Sequence, residues 1–188
     1  IFMRVISGSA RGTKLSSIES SSTRPTLDRV KESLFNIIQN DIQDSVVLDL
    51  FAGSGAIGIE FISRGAKKAY FCEHSHEATL FLKKNLEKTK FINKSEVFEC
   101  DYNIALKALS SQMLKFDFIY IDAPYKDDIA AKAVAKVMEF DLLNQDGTII
   151  IETDEKDRDI KELEQIQVTV NDLRKYGRAW LIFLDRKE

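Results

Sequence analysis

Cysteine is scarce in this chain of 188 residues: there are two, Cys72 and Cys100. Each falls at the end of an apolar segment, and their spacing matches no zinc-binding or redox motif. That excludes a disulfide-stapled scaffold and a cysteine metal centre, and buried, reduced thiols are expected. No apolar run reaches the length of a transmembrane helix, and no charged-then-apolar leader is visible, so the expectation is a cytoplasmic protein without membrane contact. Internal repeats are missing, and so is any shift in composition that would mark an unrelated second domain. Net charge is small, at −3, and 44% of the residues are hydrophobic. These values suit one globular unit with a substantial core, with a monomer as the default expectation.

The small net charge hides an asymmetry. Residues 1–31 carry six basic side chains, Arg4, Arg11, Lys14, Arg24, Arg29 and Lys31, against two acidic ones, so the rest of the chain is acidic. A basic arm of this kind suits a polyanion such as a phosphate backbone, although a solvated basic segment is the plainer reading. Residues 3–7 and 12–16 read as a small basic hairpin, and the serine-rich run from Ser16 to Ser22 as a loop. Leu27, Val30, Leu34, Ile37 and Ile38 recur at helical spacing, which predicts a helix to about residue 40 with Thr26 as its cap and Asp28 in its first turn.

Beyond that helix, strands and helices alternate. Strands are expected near 45–50, 67–73, 94–100, 116–121, 147–152, 165–171 and 178–185, with helices near 56–64, 76–90, 103–112, 127–139 and 157–163. The pattern specifies an α/β fold, a seven-stranded, mostly parallel sheet. A short turn around residues 172–177 makes the last strand antiparallel. The organisation expected is a basic hairpin and helix over 1–44, carried by an α/β core over 45–188.

Two motifs speak to chemistry. The first is Asp49-Leu50-Phe51-Ala52-Gly53-Ser54-Gly55-Ala56-Ile57-Gly58, an apolar strand end that runs into a glycine loop. The loop fits the dinucleotide fingerprint, and Glu73 stands about 20 residues on, where a ribose-binding acid belongs. By itself the loop does not separate a dinucleotide from S-adenosylmethionine. Asp49 does, because its carboxylate would face a doubly anionic pyrophosphate. At about 4 Å and an effective dielectric near 20, like charges cost on the order of 4 kcal/mol. S-adenosylmethionine carries an ammonium and a sulfonium and no phosphate, so it suits an acidic loop.

The second motif is Asp122-Ala123-Pro124-Tyr125, after the apolar strand 116–121. The exocyclic amine of a nucleobase is a poor nucleophile, since its lone pair is delocalised into the ring. A carboxylate (Asp122) and a backbone carbonyl (Ala123) that each accept one N–H favour a pyramidal nitrogen and stabilise its growing positive charge. Pro124 holds Ala123 in an extended conformation. Tyr125 offers a face on which a base can stack, worth about 1–3 kcal/mol in single-stranded nucleic acids. Open α/β sheets bind ligands at the carboxyl ends of their strands, and Asp49, Glu73, Asp101 and Asp122 all fall at such ends. Glu152, Asp154, Glu155, Asp157 and Asp159 crowd one later segment that reads as a solvated loop and helix face. Lys175-Tyr176-Gly177-Arg178 reads either as a basic RNA-positioning turn or as a hairpin that needs its glycine.

With these residues in view, the chain resembles the bacterial small-subunit ribosomal RNA (guanine-N2)-methyltransferases of the RsmD type, within the Rossmann-like class I methyltransferases. The marks are Met3–Gly8 with Arg11-Gly12 and Lys14-Leu15, Arg24-Pro25-Thr26 with Asp28–Glu32, Leu34-Phe35-Asn36, Asp49–Gly55, Ser63–Ala66, Asn85-Leu86 and Lys175-Tyr176-Gly177. Ala123 departs from the family's usual Asp-Pro-Pro-Tyr, but the role of that position belongs to its carbonyl. The resemblance implies S-adenosylmethionine held by Asp49, Phe51, Ala52, Gly53, Ser54 and Gly55, with Glu73 on the ribose hydroxyls and Asp101 and Tyr102 at the adenine. His74 is either a further adenine contact or surface decoration. Asp122, Ala123, Pro124 and Tyr125 would be catalytic, with no metal. Arg4, Arg11, Lys14, Arg24, Thr26, Arg29, Lys175 and Arg178 would meet 16S rRNA within a small-subunit assembly. Adenine methyltransferases acting on DNA share the Asp-Pro-Pro-Tyr pattern, and a non-catalytic cofactor-binding protein that holds RNA is a further alternative.

Overall fold

The computed structural model describes residues 3–18, 24–124 and 128–187, the side chains of residues 24–27 excepted. Two-residue strands β1 (Met3–Arg4) and β2 (Lys14–Leu15) pair antiparallel and precede helix α1 (Arg24–Ile38). There follow β3 (Val46–Asp49), α2 (Ala56–Ser63), β4 (Lys68–Cys72), α3 (His76–Thr89), β5 (Ser95–Phe98), α4 (Tyr102–Ser111), β6 (Phe116–Ile121), α5 (Ile129–Glu139), β7 (Leu143–Thr153), α6 (Lys156–Leu163), β8 (Val168–Tyr176) and β9 (Ala179–Arg186). The seven longer strands form one sheet in the order β5-β4-β3-β6-β7-β9-β8. The first five are parallel, and β9 runs antiparallel to both β7 and β8.

The strands are apolar on both sides because both faces of the sheet are covered. Side chains alternate across a strand. Leu48, Tyr70, Ile119, Ile149, Ile151 and Ile182 therefore join a core under α4, α5 and α6. Val47, Phe71, Phe118, Tyr120, Ile150 and Phe183 join a second core. Val5, Leu15, Val30, Leu34 and Phe35 belong to that second core, so the basic hairpin and α1 form part of one sheet face.

A buried acid fixes this docking. Glu60 of α2 is fully buried and accepts from the backbone N–H of Ile6 (2.9 Å) and Ser7 (3.0 Å) and from Arg64 Nε (2.9 Å). Lys31 of α1 stands 3.2 Å from the same carboxylate and donates to the Arg4 carbonyl at 3.0 Å. Gly8, at φ +85°, lies so close to α2 that a Cβ would fall 1.8 Å from the Ser63 carbonyl oxygen.

Several boundaries differ from expectation. Helix α1 starts at Arg24, which puts Thr26 inside the helix and Asp28 beyond its first turn. The hairpin ladder is shorter than 3–7 and 12–16 because Gly8 and Gly12 take positive φ and bend the chain. Strand β8 continues to Tyr176 through a bulge between Val170 and Asp172, so the turn shrinks to Gly177-Arg178. Strand β7 begins at Leu143, with an irregular register against β6. Part of the serine-rich run lies outside the described residues.

Candidate active site

The carboxyl ends of the parallel strands gather five acids. Asp49 closes β3 and is buried, and its Oδ2 accepts from the Gly58 N–H at 3.1 Å. Burial pushes this carboxyl up to about 7, with part of the rise offset by the Gly58 bond and part added by the charge of Glu73. Glu73 follows β4; its Oε2 accepts from the Gly53 N–H and its Oε1 from the Ser75 N–H, both at 2.8 Å. The glycine loop is thus anchored to two acids through its own amides.

Conformation explains the glycines. Gly53 takes φ +54° with open space where a Cβ would stand, a backbone surface that a ligand can approach closely. Gly55 takes φ +82°, and a Cβ there would lie 2.2 Å from Leu82 Cδ1. From behind, Asn85 of α3 donates to the Ser54 carbonyl at 2.9 Å and to the Ser16 carbonyl at 2.8 Å, and accepts from the Ser16 N–H. It ties the loop to the N-terminal segment.

A cleft of about 210 Å³ opens beside this loop, lined by Asp49, Phe51, Ala52, Gly53, Ser54, Tyr120, Asp122 and Glu152, with Met3, Asp28 and Lys31 from the N-terminal region. Ile121 and Ile151 are register partners on β6 and β7, which sets Asp122 and Glu152 side by side. Tyr120, almost fully buried, donates its hydroxyl to Glu152 Oε2. Asp122 is exposed at the open side of the cleft. The protein around its carboxyl, then the charges of Glu152 and Asp49, push that carboxyl above the ordinary carboxylate range. Burial raises Glu152 as well, and the Tyr120 hydroxyl offsets part of the rise.

A narrow crevice continues the site past Phe51, between Glu73, His74, Asp101 and Tyr102. The Phe51 and Tyr102 rings pack at 5.3 Å. Asp101 has a structural duty, because its Oδ1 caps α4 by accepting from the Asn103 N–H at 2.9 Å. His74 is exposed, with its Nδ1 3.4 Å from Glu73 Oε1.

Ala123 is buried behind Asp122 and Pro124 is exposed, while Tyr125 lies outside the described residues. Arg4, Arg11, Lys14, Arg29, Lys175 and Arg178 are exposed. Arg24 and Thr26 lie in α1, with their side chains outside the description. Arg4 and Lys14 are cross-strand partners on the hairpin. Lys175 pairs with Trp180, which pairs with Thr153 at the carboxyl end of β7. The basic turn therefore sits on the same sheet edge as Asp122.

The expectation for the acidic segment 152–159 needs correcting at two residues. Glu152 lines the cleft, and Asp159 is fully buried with its Oδ1 3.1 Å from Arg158. The strand-end rule that selects Asp49 and Asp122 also selects Glu152, but the acidic neighbours at 154, 155, 157 and 159 hide it. Tyr120 carried no such local signal, and Asn85 stood out only as a mark of the family resemblance. The two cysteines are free, and the buried Cys72 thiol lies 3.4 Å from the Cys100 carbonyl. No helix among the described residues is long and apolar enough to cross a membrane.

A seven-stranded sheet whose parallel strands are followed by an antiparallel β9 beside β7, with a glycine loop after β3 and acids at successive strand ends, defines a Rossmann-like methyltransferase. The family model described as conserved hypothetical protein 95 matches residues 3–185, and this chain belongs to that family, the RsmD family. It is 40% identical over 157 residues to the ribosomal RNA small subunit methyltransferase D of Haemophilus influenzae, covering 83% of this chain and 80% of that one. Against the Escherichia coli protein of the same name the identity is 32% over 152 residues, with 81% and 75% covered. A solved Haemophilus influenzae structure, described provisionally as a methylase, superposes with a TM-score of 0.76 at 30% identity, over 100% of this chain and 99% of that one.

Proposed function

We propose that this chain transfers a methyl group from S-adenosylmethionine to the exocyclic N2 amine of a guanine in 16S rRNA, with an assembling small subunit as substrate and a monomer as the working unit. The observation that carries the reading is the placement of Asp122 beside the glycine loop, in a cleft lined by both. The relatives named for small-subunit rRNA favour RNA over the DNA adenine alternative. A buried acid at the root of a close-approach loop fits a cationic cofactor, and Asp49, Phe51, Ala52, Gly53, Ser54, Gly55, Glu73, His74, Asp101 and Tyr102 are the residues proposed to hold it. When bound, S-adenosylmethionine supplies an electrophilic methyl on a sulfonium.

The chain's own residues do the rest. Asp122 accepts one N2–H and the Ala123 carbonyl the other, which raises the nucleophilicity of the nitrogen and stabilises its developing positive charge. Because burial has raised its proton affinity, Asp122 is also a competent acceptor for the proton that the methylated amine sheds. Pro124 and Tyr125 complete the catalytic turn, with Tyr125 as a stacking face. Arg4, Arg11, Lys14, Arg24, Thr26, Arg29, Lys175 and Arg178 are assigned to RNA. The 1–44 segment serves as the RNA-facing extension of a 45–188 catalytic core.

The test is labelled-methyl transfer to naked small-subunit RNA, to subunits lacking the modification, and to unmethylated DNA, with the modified nucleoside identified by mass spectrometry. N2-methylguanosine from RNA or subunits alone is expected. N6-methyladenine in DNA, or cofactor binding without transfer, would overturn the reading.

A further inference from the structure

A catalytic carboxylate beside an amine does not by itself tell guanine from other purines, since what sets guanine apart next to its amine is N1–H. In 2-aminopurine the amine is the same but N1 is a bare acceptor, and adenine also has a bare N1 beside its amine. An enzyme that reads N1 needs an acceptor next to the group that holds the amine. Here the parallel pairing of Ile121 with Ile151 brings Glu152 out beside Asp122 on the neighbouring strand, about 4.8 Å away by strand spacing. Both side chains line the cleft. Glu152 Oε2 takes the hydroxyl of Tyr120, a nearly fully buried phenol that fixes the carboxylate's orientation. A carboxylate has about four lone-pair sites, so Oε1 keeps acceptor capacity toward the cleft. Among the described residues lining the cleft the cation is Lys31, and its Nζ is engaged by Glu60 at 3.2 Å and the Arg4 carbonyl at 3.0 Å.

We propose that Glu152 is the specificity-determining residue of this site, accepting the N1–H of the target guanine through Oε1 while Asp122 holds the N2 amine. Two adjacent carboxylates then match two adjacent N–H donors on one base edge. A purine with a bare N1 turns a lone pair toward the Glu152 oxygen and leaves that carboxylate unpaired, which is how a site built around a substrate donor rejects an analogue lacking it. This assignment rests on the guanine-N2 reading above and extends it to the choice of base.

The experiment replaces the guanine located by the transfer assay with 2-aminopurine, by ligation into small-subunit RNA, and compares kcat/KM for the two substrates. The wild type should prefer guanine by at least about 100-fold. In Glu152→Gln the amide oxygen takes the Tyr120 hydroxyl and the NH2 faces N1, so the preference should collapse by roughly 30-fold or more, a discrimination of the size one good base-edge contact supplies. Cofactor affinity should stay at the wild-type level and the variant should be no less stable than the wild type, which a merely structural role for Glu152 would not predict. A wild type that methylates both bases equally overturns the proposal without any variant, and so does a Glu152→Gln enzyme that keeps the wild-type ratio. Either result leaves the methyltransferase reading standing. No N2-methylguanosine from the wild type at all would overturn that reading, and this assignment with it.

Discussion

Two acidic centres lie on the same face of the sheet and have been given opposite surroundings. Glu60 is enclosed by donors: the Ile6 and Ser7 amides, the Arg64 guanidinium and the Lys31 ammonium. Asp49, Asp122 and Glu152 crowd one another around the cleft, and their proton affinities rise, through burial above all. A carboxylate that only has to hold the fold is paired, because an unpaired buried charge is costly. Around the cleft the partners are neutral, the Gly58 amide on Asp49 and the Tyr120 hydroxyl on Glu152, and on the proposed function a cationic cofactor and a donor-bearing base edge supply the positive charge and the remaining hydrogens. On the proposed function, the difference sets an acid that holds the fold apart from acids that meet ligands.

The sharpest way to break this contrast is to remove one acid from each centre. Asp122→Ala should lower methyl transfer by roughly 10³-fold, on the scale of losing one preorganised group at a reacting atom. Its affinity for S-adenosylmethionine, measured by calorimetry, should change little. Unchanged transfer would remove Asp122 from the chemistry. Glu60→Ala should do the reverse: about 3–5 kcal/mol of unfolding free energy lost in a denaturant titration, because Lys31 and Arg64 are left beside an empty site. A loss below about 1 kcal/mol would show that the hairpin docks without Glu60.

Acidity offers a milder test. Asp49 has a folded value of about 7, above its ordinary 3.8, so between those values the folded chain binds more protons than the unfolded one. Its contribution to stability is therefore complete below about pH 4 and lost as the pH rises through about 7. Asp49→Asn should flatten the pH dependence of stability in that window and stabilise the ligand-free protein at pH 8, and on the proposed function it should weaken the affinity for S-adenosylmethionine. An unaltered stability profile would show that Asp49 does not titrate there. The smallest effect belongs to the rim, where Lys175→Ala and Arg178→Ala should each weaken RNA binding modestly and lower the salt slope by about 1. Slopes equal to the wild type would remove the turn from the interface.

Much of the site was legible because strand-end position and residue type are local properties. The run 46–49 with its glycine loop, Glu73 and the Asp122 turn all stand out in one dimension. Other features were not legible for identifiable reasons. Glu152 sits in a run of surface acids and becomes a cleft residue only because β7 pairs in parallel with β6. Tyr120 looks like any core strand residue until its hydroxyl meets Glu152 from the neighbouring strand. Asp101 stood out by its strand-end position, but its service as the cap of α4 through Oδ1 shows only in the structure.

The amino-acid sequence by itself determined the alternation of strands and helices, the glycine loop and the acids at strand ends, since each follows from side-chain periodicity and backbone preference within a few residues. Only the tertiary structure decided which acids share a cleft and which are neutralised. That outcome depends on strand order and register, which bring Tyr120 to Glu152 and Asn85 to Ser16 and Ser54, and on burial, which raises the proton affinity of the cleft acids and strengthens the smaller effect of their mutual charges.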